Sequence, residues 1–166
     1  MRYEEWLTTV PSELSDDTLW RMEVYRLALF AGDLAWHDVS KLVRNRATVS
    51  LADQLYRAVC SVSGNIAEGY SRQSKKDQAR FYEYALGSAR EARNWYYHGR
   101  HVLSEAVAVH RMQLLTRIIR LLLTIIPAER GHQPTMHNHR RHEQLKEEQA
   151  PYAVDDTDVA DNPINP

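Results

Sequence analysis

The chain has 166 residues and a formal net charge of −1 at pH 7, enough for one domain but without an overall basic excess. A dedicated nucleic-acid-binding domain usually has such an excess, so composition alone argues against that class. The single cysteine excludes an internal disulfide, and residues 1–15 lack the apolar core of a signal peptide. A cytoplasmic protein is therefore expected. Six glycines, six prolines and long periodic apolar segments favour an all-helical fold.

Two amphipathic helices are predicted in the first half of the chain, after an N-terminal arm of residues 1–16. The second is expected to begin at Ser50, where Ser50 and Asp53 have the spacing of a capping box, and to end near Gly69. The first is expected from about Asp17 to Arg44. Its apolar residues recur at helical spacing and define the face that would be buried: Trp20, Val24, Leu27, Ala31, Leu34, Ala35, Val39 and Leu42.

A basic turn separates the second predicted helix from the third. Gly69 is suited to a left-handed helix end. Ser74 and Asp77 have capping-box spacing, with the Ser74 hydroxyl expected to accept a hydrogen bond from a first-turn amide. The third helix is predicted from about Lys75 to Leu103. Its inner face is mostly small, which allows close helix packing: Phe81, Ala85, Ser88, Ala92 and Trp95.

The stretch from Gln54 to Glu91 contains the segments QLYRAVCSVSGNIAEG, SKKD and ALGSARE. In this order the segments resemble the signature of the four-helix bundle proteins encoded in intervening sequences of bacterial 23S ribosomal RNA genes. Ser63 and Gly64 replace a proline and an alanine that are usual in that family. The shared positions are Gln54, Leu55, Arg57, Ala58, Ser61, Asn65, Ile66, Ala67, Glu68, Gly69, Arg72, Ser74, Lys75, Lys76, Arg80, Phe81, Ala85, Leu86, Gly87, Ser88 and Glu91.

The resemblance implies an all-α, antiparallel up-and-down four-helix bundle over residues 17–128. Because members of the family form closed rings, it also implies a homo-oligomer, usually a pentamer. The family is tied to fragmented ribosomal RNA by gene position. Similar bundles act as accessory factors of the reverse transcriptases in diversity-generating retroelements, so RNA, an RNA–DNA partner or a reverse transcriptase are the partners that the resemblance implies.

The fourth predicted helix begins at Glu105, is capped by Ser104, and is closed near Ile126 by Pro127. Its apolar residues cover more than one face, and the arginines that interrupt them exclude a membrane span. One bundle core is not expected to bury them all, so a subunit interface is predicted. The alternative is that the N-terminal segment from Trp6 to Val10, or the tail, covers this surface. The predicted interface residues are Leu115, Ile119, Leu122, Leu123 and Ile126.

Residues 129–166 are predicted to form a disordered tail, rich in histidine and then acidic, because large apolar residues are almost absent. His132, His137, His139 and His142 have spacings that can bind a transition metal where a fold fixes their geometry. Nothing in this segment fixes it. Neither a metal site nor a cofactor is predicted.

Charge is unevenly distributed along the chain. Residues 1–40 have a net charge of minus five, whereas residues 41–100 have plus six. This contrast has two interpretations: a nucleic-acid surface, with Tyr70, Tyr82 or Trp95 available for base stacking where they are exposed, or a solvated face balanced by the acidic first helix. The candidate nucleic-acid-binding residues are Arg72, Lys75, Lys76, Arg80, Arg90 and Arg93.

A polar stripe follows the second helix opposite its apolar face: Arg57, Ser61, Asn65, Glu68 and Arg72. A single carboxylate without an acid, base or metal partner does not make a hydrolase site, so no enzyme is predicted. Instead the stripe is expected to form a buried network between helices or subunits, in which Glu68 pairs with an arginine and Asn65 fixes register. Four further residues are candidates for catalysis, but none has a predicted partner: His37, Asp38, His98 and His101.

Together these patterns predict a non-enzymatic oligomeric scaffold that associates with nucleic acid, foremost RNA, through the basic turn. One alternative is an accessory subunit that binds a retroelement reverse transcriptase and its template RNA. Another is a purely protein-binding structural oligomer. No membrane partner is expected.

Overall fold

The computed structural model describes residues 1–130; the remainder of the predicted tail, with its four histidines, lies outside the described residues. Within this range the chain forms helices joined by short connections, with a 3₁₀ turn at Thr18–Arg21. The α-helices are α1 (Tyr3–Leu7), α2 (Ser12–Ser15), α3 (Glu23–Leu42), α4 (Val49–Tyr70), α5 (Lys75–Leu103) and α6 (Glu105–Glu129).

The four long helices form an antiparallel up-and-down bundle, as predicted. Their connections are only six, four and one residues long, so each helix must turn back along its predecessor. α3 also packs against α5 and α6, which closes the bundle around a contiguous apolar core. None of the helices in residues 1–130 has the length and apolarity needed to cross a bilayer. Fully buried side chains include Leu27, Leu55, Ile66, Tyr96, Ile118 and Leu122.

The first predicted helix is interrupted at Met22. The carboxylate of Asp17 accepts a hydrogen bond from Leu19 N at 2.8 Å and caps the 3₁₀ turn, after which Met22 is extended, with φ −77° and ψ 110°. The Arg26 side chain donates to the carbonyl of Trp20 and holds the bend. The prediction of a continuous helix from Asp17 was therefore wrong, because side-chain caps compete with helical bonds here.

The second predicted helix begins one residue early and does not use the predicted capping box. Thr48 precedes it, but its hydroxyl donates to the carbonyl of Leu42 at 2.6 Å, joining the end of α3 to the start of α4. Gly69 lies inside α4, and the next residues stay right-handed. A Cβ at Gly69 would lie 2.7 Å from Cε1 of Tyr82. This glycine is therefore needed for close packing of α4 on α5, and the predicted left-handed end was wrong.

α5 has the predicted bounds, and its start confirms the Ser74 cap: Asp77 N donates to Ser74 Oγ at 3.2 Å. The Asp77 carboxylate pairs with Arg80 at 3.3 Å. The buried face is displaced from the predicted one, since Phe81, Ser88 and Trp95 are only partly buried. α5 packs between α4 and α6, which widens its buried face to Ala79, Tyr82, Ala85, Leu86, Ala89, Ala92, Tyr96, Gly99 and Leu103.

α6 also starts as predicted, with Ser104 at φ 80° and its hydroxyl accepting from Val107 N at 3.5 Å. It continues through Pro127 to Glu129, because a proline in the last turn removes one hydrogen bond while Arg130 N still bonds the Ile126 carbonyl at 3.2 Å. The predicted boundaries at residues 126 and 128 therefore fall within the helix.

Four of the five predicted interface residues lie in the chain's own core: Leu115, Ile119, Leu122 and Ile126. The chain itself covers these four residues, because α6 packs against both α3 and α5. The fifth, Leu123, is 42% exposed.

The N-terminal arm packs on the bundle. Trp6 is 2% exposed; it lies against Phe30 and Leu34 of α3, and its indole N–H donates to Asp33. Leu114 of α6 packs against the same cluster. The arm and α6 therefore both pack against the cluster of Trp6, Phe30 and Leu34.

Candidate nucleic-acid interface

A cleft of about 600 Å³ lies where α5 begins and α6 ends. The antiparallel course of the two helices brings the first residues of α5 beside the last residues of α6. This α5–α6 cleft contains three of the basic residues that were predicted to bind nucleic acid. It also contains Arg130, which is not among them. It is lined by Lys75, Lys76, Asp77, Arg80, Glu83, Glu129 and Arg130.

Ion pairs neutralise most of the positive charge in the cleft. Lys75 Nζ lies 2.6 Å from Glu129 Oε2, and Arg130 pairs with Glu83. The pair of Arg80 with Asp77 completes the set, and no carboxylate in residues 1–130 lies within ion-pair distance of Lys76. The paired cations remain open to solvent, with side-chain exposures of 70%, 56% and 52% for Lys75, Arg80 and Arg130. The pairs of Arg80 and Arg130 are exposed on both sides, so they are weak and another anion can replace their carboxylates, whereas the Glu129 side chain is only 21% exposed.

Tyr82 lies on the buried side of α5, where it packs against α4, and does not line the cleft. It is 3% exposed, and burial together with the nearby Glu129 carboxylate raises the pKa of its phenol to about 12. Its ring packs against Gly69. Tyr82 is therefore not available for base stacking. Helical spacing does not decide the direction of this side chain, and in the structure it points into the core.

An aromatic patch borders the cleft on the α4 side and consists of Phe81 and Tyr84 with the guanidinium groups of Arg72 and Arg80. The two guanidinium carbons lie 4.6 Å and 5.6 Å from the Phe81 ring centroid. Tyr84 meets Phe81 edge to face at 5.7 Å and is 52% exposed. Arg80 belongs to both the patch and the cleft, so the two surfaces are continuous.

Arg90 and Arg93 lie farther along α5 and do not line the cleft. Arg90 is about 21 Å from Lys76 along the helix axis. Arg93 is partly buried and donates to Thr116 Oγ1 of α6 at 3.1 Å, which is a contact between helices. Trp95 is partly buried and donates to Glu91 at 3.2 Å. Of the predicted stacking residues, Tyr70 is exposed, at 39%.

The polar stripe on α4 lies on the surface of the chain. Asn65 Nδ2 donates to the Ser61 carbonyl at 2.8 Å, Glu68 pairs with Arg72, and Arg57 lies 3.8 Å from Asp53. All these contacts are within one helix or its end. The predicted burial of the stripe between helices was wrong, because α3 and α5 both pack on the opposite side of α4.

The buried polar network lies elsewhere, around Asp38, which is 2% exposed. Its Oδ2 accepts hydrogen bonds from Tyr96 Oη at 3.0 Å and from Arg111 Nε at 2.8 Å, so it joins α3, α5 and α6. From the sequence, Asp38 has no predicted partner. The available signal was its position on the apolar face of α3, three residues after Ala35 and four before Leu42.

Two ionisable side chains of this network have pKa values that their surroundings shift. Burial and then the Asp38 carboxylate raise the pKa of Tyr96 well above its ordinary value. Burial and the Arg111 guanidinium lower the pKa of His110, whose Nδ1 lies 2.7 Å from Arg111 Nη1. A neutral imidazole can accept the hydrogen bond that Arg111 donates. The Asp38 network is therefore a structural connection between three helices.

Comparisons with known proteins agree with this architecture. A solved structure described as a protein with unknown function from the S23 ribosomal protein family, from Bacteroides thetaiotaomicron, has a TM-score of 0.59 to this fold. The match has 23% sequence identity and covers 62% of this chain and 97% of that chain, which shows a shared fold. A comparison with curated proteins finds no match.

A family model described as 23S rRNA-intervening sequence protein matches residues 21–124, which is more than half of the 166 residues and includes α3, α4, α5 and most of α6. The chain belongs to the 23S rRNA-intervening sequence protein family.

Proposed function

We propose that this protein is a non-enzymatic helical-bundle scaffold that associates with RNA through the α5–α6 cleft. The observation that carries the proposal is the convergence of Lys75, Lys76, Arg80 and Arg130 around one cleft of about 600 Å³. The family description, which names a ribosomal RNA, favours RNA over other anions as the partner.

Phosphate groups would bind by exchange with carboxylates. Lys76 has no carboxylate to lose in the described part of the chain and would make the first contact. Arg80 and Arg130 would then release Asp77 and Glu83, at low energetic cost because exposed ion pairs contribute only about 0–1 kcal/mol. Lys75 is 70% exposed and would contact phosphate while it stays paired with the partly buried Glu129. The partner must carry several phosphates to compete, which favours a polynucleotide over a single anion.

A scaffold is favoured over an enzyme because the candidate catalytic groups have other partners. Glu68 pairs with Arg72, and Asn65 bonds its own helix. The three cleft carboxylates are each paired with a cation, so none of them is free to act on a substrate.

The double variant Lys75→Glu, Lys76→Glu tests the RNA proposal. It should bind structured ribosomal RNA at least tenfold more weakly than the wild type, and wild-type affinity should fall steeply between about 50 and 200 mM salt as counterions compete. Fluorescence anisotropy at several salt concentrations measures both effects.

The matched control is Arg44→Glu, Arg46→Glu, which makes the same change in charge at exposed sites in the α3–α4 connection, at the opposite end of the bundle. It should retain most of the affinity. An equal loss in both double variants would mean that net charge, and not the cleft, determines binding. Wild-type protein that binds no RNA at low salt would refute the proposal and favour the protein-binding scaffold.

Self-association is the second part of the proposal. Since most of the apolar face of α6 is buried in the chain, the α3–α4 face is the better candidate surface. Trp36 of α3 is 59% exposed and contacts Tyr56 of α4 edge to face at 5.8 Å. An exposed tryptophan held by a second aromatic ring is typical of the residues that anchor protein interfaces.

Light scattering at micromolar concentration should give a mass well above the 19.3 kDa monomer, with the pentamer implied by the family resemblance as the expected state. Trp36→Glu should shift the assembly toward monomer while circular dichroism stays unchanged. Leu123→Glu is the control on α6 and should preserve the assembly. A monodisperse wild-type monomer would refute self-association.

The retroelement accessory role stays a prediction, which co-purification with a reverse transcriptase and its template RNA would test.

A further inference from the structure

Two tyrosines are prominently exposed on α5, and their surroundings differ. Tyr84 is 52% exposed and Tyr97 is 49% exposed. Arg100 lies over the Tyr97 ring at 4.0 Å from its centroid and covers one face. At Tyr84 the neighbouring guanidinium groups lie over Phe81 instead. Tyr84 therefore combines an open ring with adjacent cations.

Tyr84 also lies in line with two cations of the cleft. Lys76, Arg80 and Tyr84 follow one another at intervals of four residues, which places them along one side of α5. The row is about 12 Å long. The Tyr84 ring meets Phe81 edge to face, with an angle of 87° between the ring planes, and this contact holds the Tyr84 ring in a defined orientation.

We infer that the RNA bound at this site is single-stranded, with an unpaired base stacked on Tyr84 and the neighbouring phosphates bound by Arg80 and Lys76. This inference rests on the proposed RNA association and specifies its ligand. An open aromatic ring beside cations matches single strands, because each unpaired base has a face that can stack, with a contribution of about 1–3 kcal/mol per base.

Duplex RNA does not offer the same contact. Its bases are stacked on each other within the helix, and proteins reach it mainly through phosphates and 2′-hydroxyl groups. A duplex could use Lys76 and Arg80 but would leave Tyr84 without a partner. The site should therefore distinguish single-stranded from double-stranded RNA of the same length.

The test compares an oligoadenylate of about 12 nucleotides with a duplex of equal length, using fluorescence anisotropy at low salt. Wild-type protein should bind the single strand more tightly. Tyr84→Ala should weaken single-strand binding about 5- to 100-fold, as expected for one lost stacking contact, and leave duplex binding unchanged. Tyr84→Phe retains the ring and should retain the affinity.

Tyr97→Ala is the matched control, since it removes an equally exposed tyrosine about 20 Å farther along the same helix. It should bind both RNAs like the wild type. Unchanged single-strand affinity in Tyr84→Ala, or equal wild-type affinity for duplex and single strand, would overturn the inference while leaving a Lys75- and Lys76-dependent RNA association intact. Failure of wild-type protein to bind either RNA would overturn both.

Discussion

Replacing Asp38 with alanine should destabilise the fold by about 3–5 kcal/mol, the range for breaking a buried ion pair by removal of one partner. The Asp38 and Arg111 side chains are only 3% and 15% exposed, so the arginine that remains would keep an uncompensated charge in a poorly hydrated position. The Tyr96 hydroxyl would also lose its acceptor. Three helices depend on this carboxylate, which is why we expect a large effect.

Urea denaturation followed by circular dichroism measures this change at a fixed protein concentration, because assembly would make stability depend on concentration. Glu68→Ala is the matched control: it also removes a carboxylate from an arginine, but the Glu68 and Arg72 side chains are 50% and 44% exposed. Its cost should be about 0.3–0.5 kcal/mol, as for an exposed helical pair. Similar losses in the two variants would contradict the assignment of Asp38 as the buried connection.

Some features set by neighbouring residues could be predicted from the sequence, although the Asp17 cap and the start of α4 could not. The bounds of α5 and the caps at Ser74 and Ser104 depend on side chains within three residues of the helix start, and all agree with the structure. The apolar face of α3 was also correct, since Val24, Leu27, Ala31, Leu34, Ala35 and Leu42 are buried. Periodicity identifies which face is buried when a helix has a narrow apolar stripe.

Features set by contacts between distant segments could not be predicted. Asp38 meets Tyr96 and Arg111 across sequence separations of 58 and 73 residues, so its partners depend on the packing of three helices. Arg130 enters the cleft because α6 continues one turn past the predicted stop. From the sequence, the apolar face of α6 is wider than one bundle core is expected to bury, whereas packing against α3 and α5 covers most of it.

In the candidate site, too, the features set by nearby residues were predictable and those set by distant segments were not. The motif between Arg72 and Arg80 identified the basic turn correctly, because these residues are close in sequence. The ion pair of Lys75 with Glu129 depends on tertiary structure, as does the burial of Tyr82. Tyr84 was not predicted to stack, since helical spacing alone does not distinguish it from Tyr82 at the edge of the buried face.

Gly69 gives a second test of the packing between α4 and α5. Gly69→Ala should destabilise the protein by about 1–3 kcal/mol, because the added methyl group would lie 2.7 Å and 2.9 Å from two ring carbons of Tyr82 and 3.1 Å from Cβ of Phe81. Tyr82 is buried and has little room to move. Overpacking should therefore exceed the gain of about 0.5–1 kcal/mol that alanine normally brings to a helix interior.

Gly64→Ala makes the same substitution in the same helix, where no atom lies within 4 Å of the new Cβ. It should stabilise the protein by about 0.5–1 kcal/mol through helix propensity alone, so the two variants are expected to have opposite signs. Urea denaturation measures both. A third variant, Gly69→Ala with Tyr82→Leu, should lose less stability than the sum of its single changes, because the clashing ring is gone. Stabilisation of similar size at both glycines would mean that α4 and α5 are not in close contact at Gly69.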